Sequence, residues 1–143
     1  RHTFVGTTSL GTDIRLDNRF VSADLRIVVG LVEPHFMAGW SGGRKLIAPG
    51  IAHVDTITTL HNSNFIEAPG CTSCNLENNL LHEEQLEIVN MIGVDTCLDI
   101  LVNLNKFDKS LHLVFSKANF VILFFVILKT IPCSLILDLN SSN

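Results

Sequence analysis

Residues 25–32, LRIVVGLV, form a nearly unbroken β-branched and aliphatic run that ends at Glu33. Such a run is the pattern of a strand buried on both faces within a parallel sheet. The segment EPHFMAGWSGGRK, residues 33–45, follows it directly. In open α/β sheets ligands bind in the crevice beyond the carboxyl ends of the strands, which is where this segment falls.

Other segments support the same class. GTTSLGTDIRLD (6–17) reads as a turn leading into a short strand, and FVSADL (20–25) as a short helix or connector. Pro49-Gly50 is a strong turn signal, and Asp55 is placed to N-cap a helix through TITTLHNSN. LHEEQLEIVNMIG (81–93) is the clearest helix. Leu81, Leu86, Val89 and Met91 or Ile92 recur near helical spacing, acidic residues fill the first turns, and Gly93 closes it. TCLDILVNLN (96–105) reads as another strand. Strands alternating with helices give an α/β fold.

The chain has 143 residues, 47% apolar and 17% charged, which fits one globular domain. Its net charge of −4 excludes a nucleic-acid surface, which needs clustered basic residues, and only Arg44-Lys45 pairs two of them. The four cysteines follow no small-domain disulfide framework. No basic stretch precedes an apolar one at the start, so a reducing cytoplasm is the expected compartment. The first residue is not methionine, which suggests a piece of a larger protein. From about Ser116 the character changes. ANFVILFFVIL is followed by Lys129, Pro132 and a polar NSSN end. A membrane span needs roughly 20 apolar residues, and Lys129 interrupts the one window that offers them.

Gly39, Gly42 and Gly43 permit tight turns and close backbone approach to a ligand, and successive N–H groups in such a turn form an anion-binding concavity. Arg44 and Lys45 add charge there. The spacing is not that of a Walker loop, since GxxxxGK[ST] is absent. His35 is suited to general base work because imidazole titrates near neutrality, and equally to a structural hydrogen bond. His53 and His61 are not paired as metal ligands, since the helix is expected to start after His53. His61, beside Asn62 and Asn64, is a candidate ligand or a helix cap. Cys71 and Cys74 have zinc or redox spacing without a second pair. Glu83, Glu84 and Glu87 are expected on a solvated helix face.

Taken together, GLVEPHFMAGWSGGRKLIAPGI resembles the core motif of the nickel-dependent lactate racemase family: Glu-Pro-His, an aromatic-Ser-Gly-Gly-Arg-Lys, then Pro-Gly. GTTSLGT upstream, and HNSN and NLENNLLHEEQLEIV downstream, are similar to that family too, so the likeness covers roughly residues 3–105. It implies an α/β catalytic N-terminal domain with a parallel sheet, truncated at both ends. It also implies a nickel-pincer cofactor derived from a pyridinium mononucleotide and tethered to a lysine. Lys45 matches the tethering lysine, with Gly42, Gly43 and Arg44 in the cofactor-binding turn. His61 matches the histidine that completes a square plane around the nickel, and a soft planar donor set suits nickel(II). His35 matches one of two catalytic histidines that exchange the hydroxyl proton of a 2-hydroxy acid while hydride passes to and from the cofactor. The implied partners are that small acid and the cofactor-assembly enzymes.

Three departures accompany the likeness. The family's second catalytic histidine lies upstream of this chain's first residue, and His2 is too close to His35 to replace it. The arginine and aspartate of the early cofactor motif are missing, as is the C-terminal domain. Residues 1–105 are therefore expected to form a partial domain, inactive alone. Residues 106–143 are a divergent apolar tail whose composition is what a shifted reading frame would produce; sequencing across codons 105–120 tests that. Two rival readings are a non-catalytic phosphate- or nucleotide-binding module using the turn at 39–45, and a membrane-associated protein anchored by residues 118–137.

Overall fold

A computed structural model describes residues 1–102 and the backbone of 111–117. Expectations about the tail beyond residue 117 lie outside the described residues. The element order is β1 (His2–Thr7), β2 (Asp13–Asp17), α1 (Asn18–Val21), β3 (Ile27–Leu31), β4 (Pro34–His35) and β5 (Gly39–Trp40). Then follow α2 (Arg44–Ile47), α3 (Val54–Leu60), α4 (Ser63–Ile66), α5 (Leu80–Ile92), β6 (Thr96–Val102) and β7 (Leu111–Lys117).

β3 and β6 pair in parallel, Ile27 opposite Thr96 through Leu31 opposite Ile100, and β7 adds antiparallel to the far side of β6. The connection from β3 to β6 carries α2 to α5, the helical crossover that a parallel pair requires. The sheet thus continues past residue 105 through β7. β1 and β2 form a separate antiparallel hairpin, closed by a turn in which Thr8 and Gly11 N–H groups bond to Thr12 and Thr8 carbonyls.

The core collects one face of each layer. Ile14 and Leu16 from β2, Ile47 from α2, Leu60 from α3, and Leu81 and Ile88 from α5 are all buried. α2 packs on both β3 and α5, α3 on β2, and α5 on β1. The 33–45 segment is therefore held between the carboxyl end of the parallel pair and the N-terminal turns of α5.

Three local expectations change. β3 is buried on one face only: Val28 and Gly30 point inward, while Ile27, Val29 and Leu31 are exposed, because no described element covers their side. The cap of α3 is His53, whose Nδ1 accepts the Asp55 N–H at 3.2 Å, rather than Asp55 itself. Glu84 is not on a solvated face; it is buried and its Oε1 accepts the Thr8 hydroxyl at 2.6 Å, tying α5 to the β1–β2 turn. Beside it, Glu87 takes the Ser9 N–H and hydroxyl, each at 2.7 Å.

Candidate functional site

The site grows from the end of β3. Val32 N–H still bonds to Ile100 O, and then the chain turns outward at Glu33-Pro34. Ser41 closes the base of the excursion. Its hydroxyl donates to Leu31 O and accepts from Glu33 N–H, both at 2.8 Å, and its own N–H bonds to Glu33 O. Between these points β4 and β5 form a two-residue hairpin, Pro34 opposite Trp40 and His35 opposite Gly39.

The Gly42-Gly43 turn then lies back against the sheet. Gly30 makes this possible, since a Cβ there would sit 2.7 Å from Leu46 Cδ1 and 3.3 Å from Gly42 Cα. Gly42 has φ +81, and an added Cβ would stand 2.9 Å from both Asp99 Oδ1 and Val32 Cγ2. Asp99, buried on β6, accepts the Gly43 N–H at 2.9 Å. Burial raises the pKa of its carboxyl, while that N–H, Cys97 and the Arg44 charge act to lower it. Its thiol neighbour Cys97 is pushed up, again mainly by burial.

Arg44 opens α2 yet faces inward. It is 2% exposed, and its Nη2 donates to Ala38 O at 2.6 Å and Trp40 O at 3.1 Å. Burial lowers its pKa to about 10, so it remains charged at neutral pH. The turn at 39–45 thus spends its buried guanidinium on the hairpin carbonyls. It also spends the N–H groups of Gly43, Lys45 and Leu46 on Asp99, Gly42 O and Gly43 O. A carboxylate already fills part of the concavity a phosphate would need, which argues against the phosphate-cradle reading.

Lys45 is half-buried, and burial followed by the Arg44 charge lowers its pKa, favouring the neutral amine. His35 is also half-buried, with its pKa lowered to about 4 by burial and then by the positive charges of Lys45, His61 and Arg44. The Phe36 ring stacks on His35, centroids 4.8 Å apart, and is 66% exposed.

His61 caps the end of α3, and its Nδ1 lies 2.7 Å from Ile57 O. A carbonyl only accepts, so Nδ1 carries the proton and the Nε2 lone pair is left for another partner. This is the arrangement in which a histidine ligates a metal, with its second nitrogen oriented by a carbonyl. Among the described residues no three His, Cys, Asp or Glu side chains converge as a metal site. Cys71 is buried, with its Sγ bonded to Asn79 Oδ1 and Leu81 N–H, a structural thiol.

Three contributors were missed in the sequence: Asp99, Asn79 and His82. Asn79 is fully buried. It caps α5 through the His82 N–H and donates from Nδ2 to Met37 O at 3.0 Å, pinning the hairpin turn. His82 is 5% exposed, its Nδ1 has no hydrogen-bond partner, and burial followed by the Arg44 charge lowers its pKa to about 3. The one available signal was a charged or amide residue inside an apolar run, as in TCLDILV.

Comparison with known proteins agrees with this geometry. A family model described as the lactate racemase N-terminal domain matches residues 1–73. Lactate racemase from Thermoanaerobacterium thermosaccharolyticum is 37% identical over 99 residues, covering 69% of this chain and 23% of the relative. Lactate racemase from Lactiplantibacillus plantarum is 32% identical over 102 residues, covering 71% and 24%. The chain therefore spans about a quarter of the length of these relatives. Among solved structures, the lactate racemase apoprotein of T. thermosaccharolyticum superposes with TM-score 0.77 at 32% identity, over 86% of this chain and 29% of that one. A Thermotoga maritima protein shares the fold, with TM-score 0.67 at 18% identity over 93% and 36%. Among the described residues no helix is long and apolar enough to cross a membrane. By sequence motif, fold and these matches, the chain belongs to the lactate racemase N-terminal domain family.

Proposed function

We propose that this chain is the cofactor-holding part of a 2-hydroxy acid racemase or epimerase of the nickel-pincer type, acting in the cytoplasm on a lactate-like substrate. The observation that carries the reading is a histidine, His61, whose Nδ1 is taken up by Ile57 O so that Nε2 is left for a ligand, in a chain of the lactate racemase N-terminal domain family that also carries the half-buried Lys45. Lys45 is the tether: burial and Arg44 favour its neutral amine, the form that can be joined covalently. His61 is the protein's nickel ligand, oriented by Ile57 O. Gly42, Gly43 and Arg44 shape the turn that presents Lys45, with Asp99 fixing it from below.

When bound, the nickel-pincer pyridinium supplies the hydride acceptor and donor. The chain's own residues orient the substrate and exchange its hydroxyl proton, a part that falls to His35. Of the acid/base pair that two-faced racemisation requires, this reading assigns one member, His35. The chain alone is therefore expected to convert neither lactate enantiomer, and measured interconversion by the purified chain would overturn that.

The decisive experiment is co-expression with the cofactor-assembly enzymes, followed by mass measurement of the tryptic peptide containing position 45. The expected result is a peptide heavier than its encoded mass, with His61→Ala keeping the adduct and losing nickel. An unmodified Lys45 under those conditions would sink the reading.

A further inference from the structure

The two histidines of the site make opposite local bonds. His61 Nδ1 faces a carbonyl, whereas His35 Nδ1 faces two amides, accepting the Ala38 N–H at 3.1 Å and the Met37 N–H at 3.4 Å. A nitrogen that accepts from N–H donors cannot itself carry a proton. The neutral His35 ring must then hold its proton on Nε2, the nitrogen left to face a ligand.

The donors on the turn are fixed from behind. Ala38 O is held by the buried Arg44 Nη2 and by Trp40 N–H, and Met37 O by the buried Asn79 Nδ2. Met37 and Ala38 are themselves 1% and 0% exposed, so their amides cannot swing away without disturbing the core. Phe36 stacked on the imidazole resists a ring flip. Arg44, Trp40, Asn79 and Phe36 thus converge on the protonation pattern of one imidazole.

We propose that the hairpin turn 36–38, braced by Arg44 and Asn79, locks His35 in the Nε2–H tautomer, so that it meets a ligand as a hydrogen-bond donor. Taking a proton onto Nε2 needs a lone pair on that atom, and in this tautomer the lone pair is on Nδ1. A doubly protonated ring would point an Nδ1–H at two other N–H groups. Proton uptake by His35 therefore requires the turn to release Nδ1 first. In this conformation the side chain donates to a carboxylate, keto or alkoxide oxygen, and the exchange of the hydroxyl proton assigned to it above begins with release of Nδ1 by the turn. This chemical consequence rests on the racemase reading, while the tautomer itself does not.

The test is a long-range proton–nitrogen correlation spectrum of the 143-residue chain, labelled with nitrogen-15 histidine, at neutral pH. His35→Gln and His61→Gln variants assign the two rings by loss of their signals. The expected pattern is an unprotonated Nδ1 and protonated Nε2 for His35, and the reverse for His61. A His35 ring with protonated Nδ1, or one averaging between the two tautomers, would overturn the lock. Neither outcome depends on cofactor loading, so failure here is separate from failure of the Lys45 adduct.

Discussion

Asp99 is a carboxylate inside an apolar strand, and its Oδ1 is where the Gly43 N–H ends. Removing it leaves a buried amide unsatisfied, a loss of about 1–3 kcal/mol. Asp99→Ala should therefore lower the unfolding free energy extrapolated from urea melts by that amount, and Asp99→Asn, which keeps an acceptor, by clearly less. His82 controls acid sensitivity with a definite sign. Its folded pKa, about 3, lies below the ordinary 6.5, so between those values the unfolded chain binds a proton that the folded chain does not. Stability is present above 6.5 and is lost as pH falls towards 3, with a slope of at most about 1.4 kcal/mol per pH unit for one linked proton. His35, lowered to about 4, adds to the loss within the same window. Asp99, whose pKa is raised, works oppositely, since its ionisation penalty is relieved as pH falls. The measurement is thus the difference between wild type and His82→Gln in thermal melts from pH 7 to 4, and the variant should show the flatter curve. An equal slope would remove His82 from the account.

At the scale of elements, what was legible followed periodicity and what was not followed contact. The strand at β3, the helix at α5 with its Gly93 stop, and the strand at β6 were all readable, because each is set by residues within one or two turns of chain. Glu84 was misplaced for the converse reason. Its partner Thr8 is 76 residues away, and nothing local in HEEQLE distinguishes the glutamate that is buried from the one that is exposed. The Asp99–Gly43 and Asn79–Met37 bonds, 56 and 42 residues apart, escaped in the same way. The residue types of the site were visible in 33–45, but not the inward turn of Arg44, since a guanidinium beside a Gly-rich turn looks the same whether it faces a ligand or a carbonyl. The element itself can be probed by comparing two glycines of similar backbone. Gly42 (φ +81) is crowded by Asp99 and Val32, whereas Gly11 (φ +85) has nothing within 4 Å of an added Cβ. Gly11→Ala should cost only the left-handed strain, about 1–2 kcal/mol. Gly42→Ala adds the displacement of Asp99 and should be the more damaging of the two by equilibrium unfolding.

For the whole molecule, the departure that matters is the uncovered side of β3. A run such as LRIVVGLV carries apolar residues on both faces, yet the described structure buries only alternate positions, with Val28 at 6% and Val29 at 55% exposure. The expectation of a strand buried on both faces therefore holds for one face only among the described residues. The two valines separate the two faces. Val28→Thr places a hydroxyl in the covered face without a partner and should cost about 1–3 kcal/mol. Val29→Thr trades one exposed β-branched side chain for another and should stay within about 0.5 kcal/mol. Melting the two variants side by side decides the matter. Equal losses would mean that the outer face of β3 is covered in solution, and that the strand is buried on both sides after all.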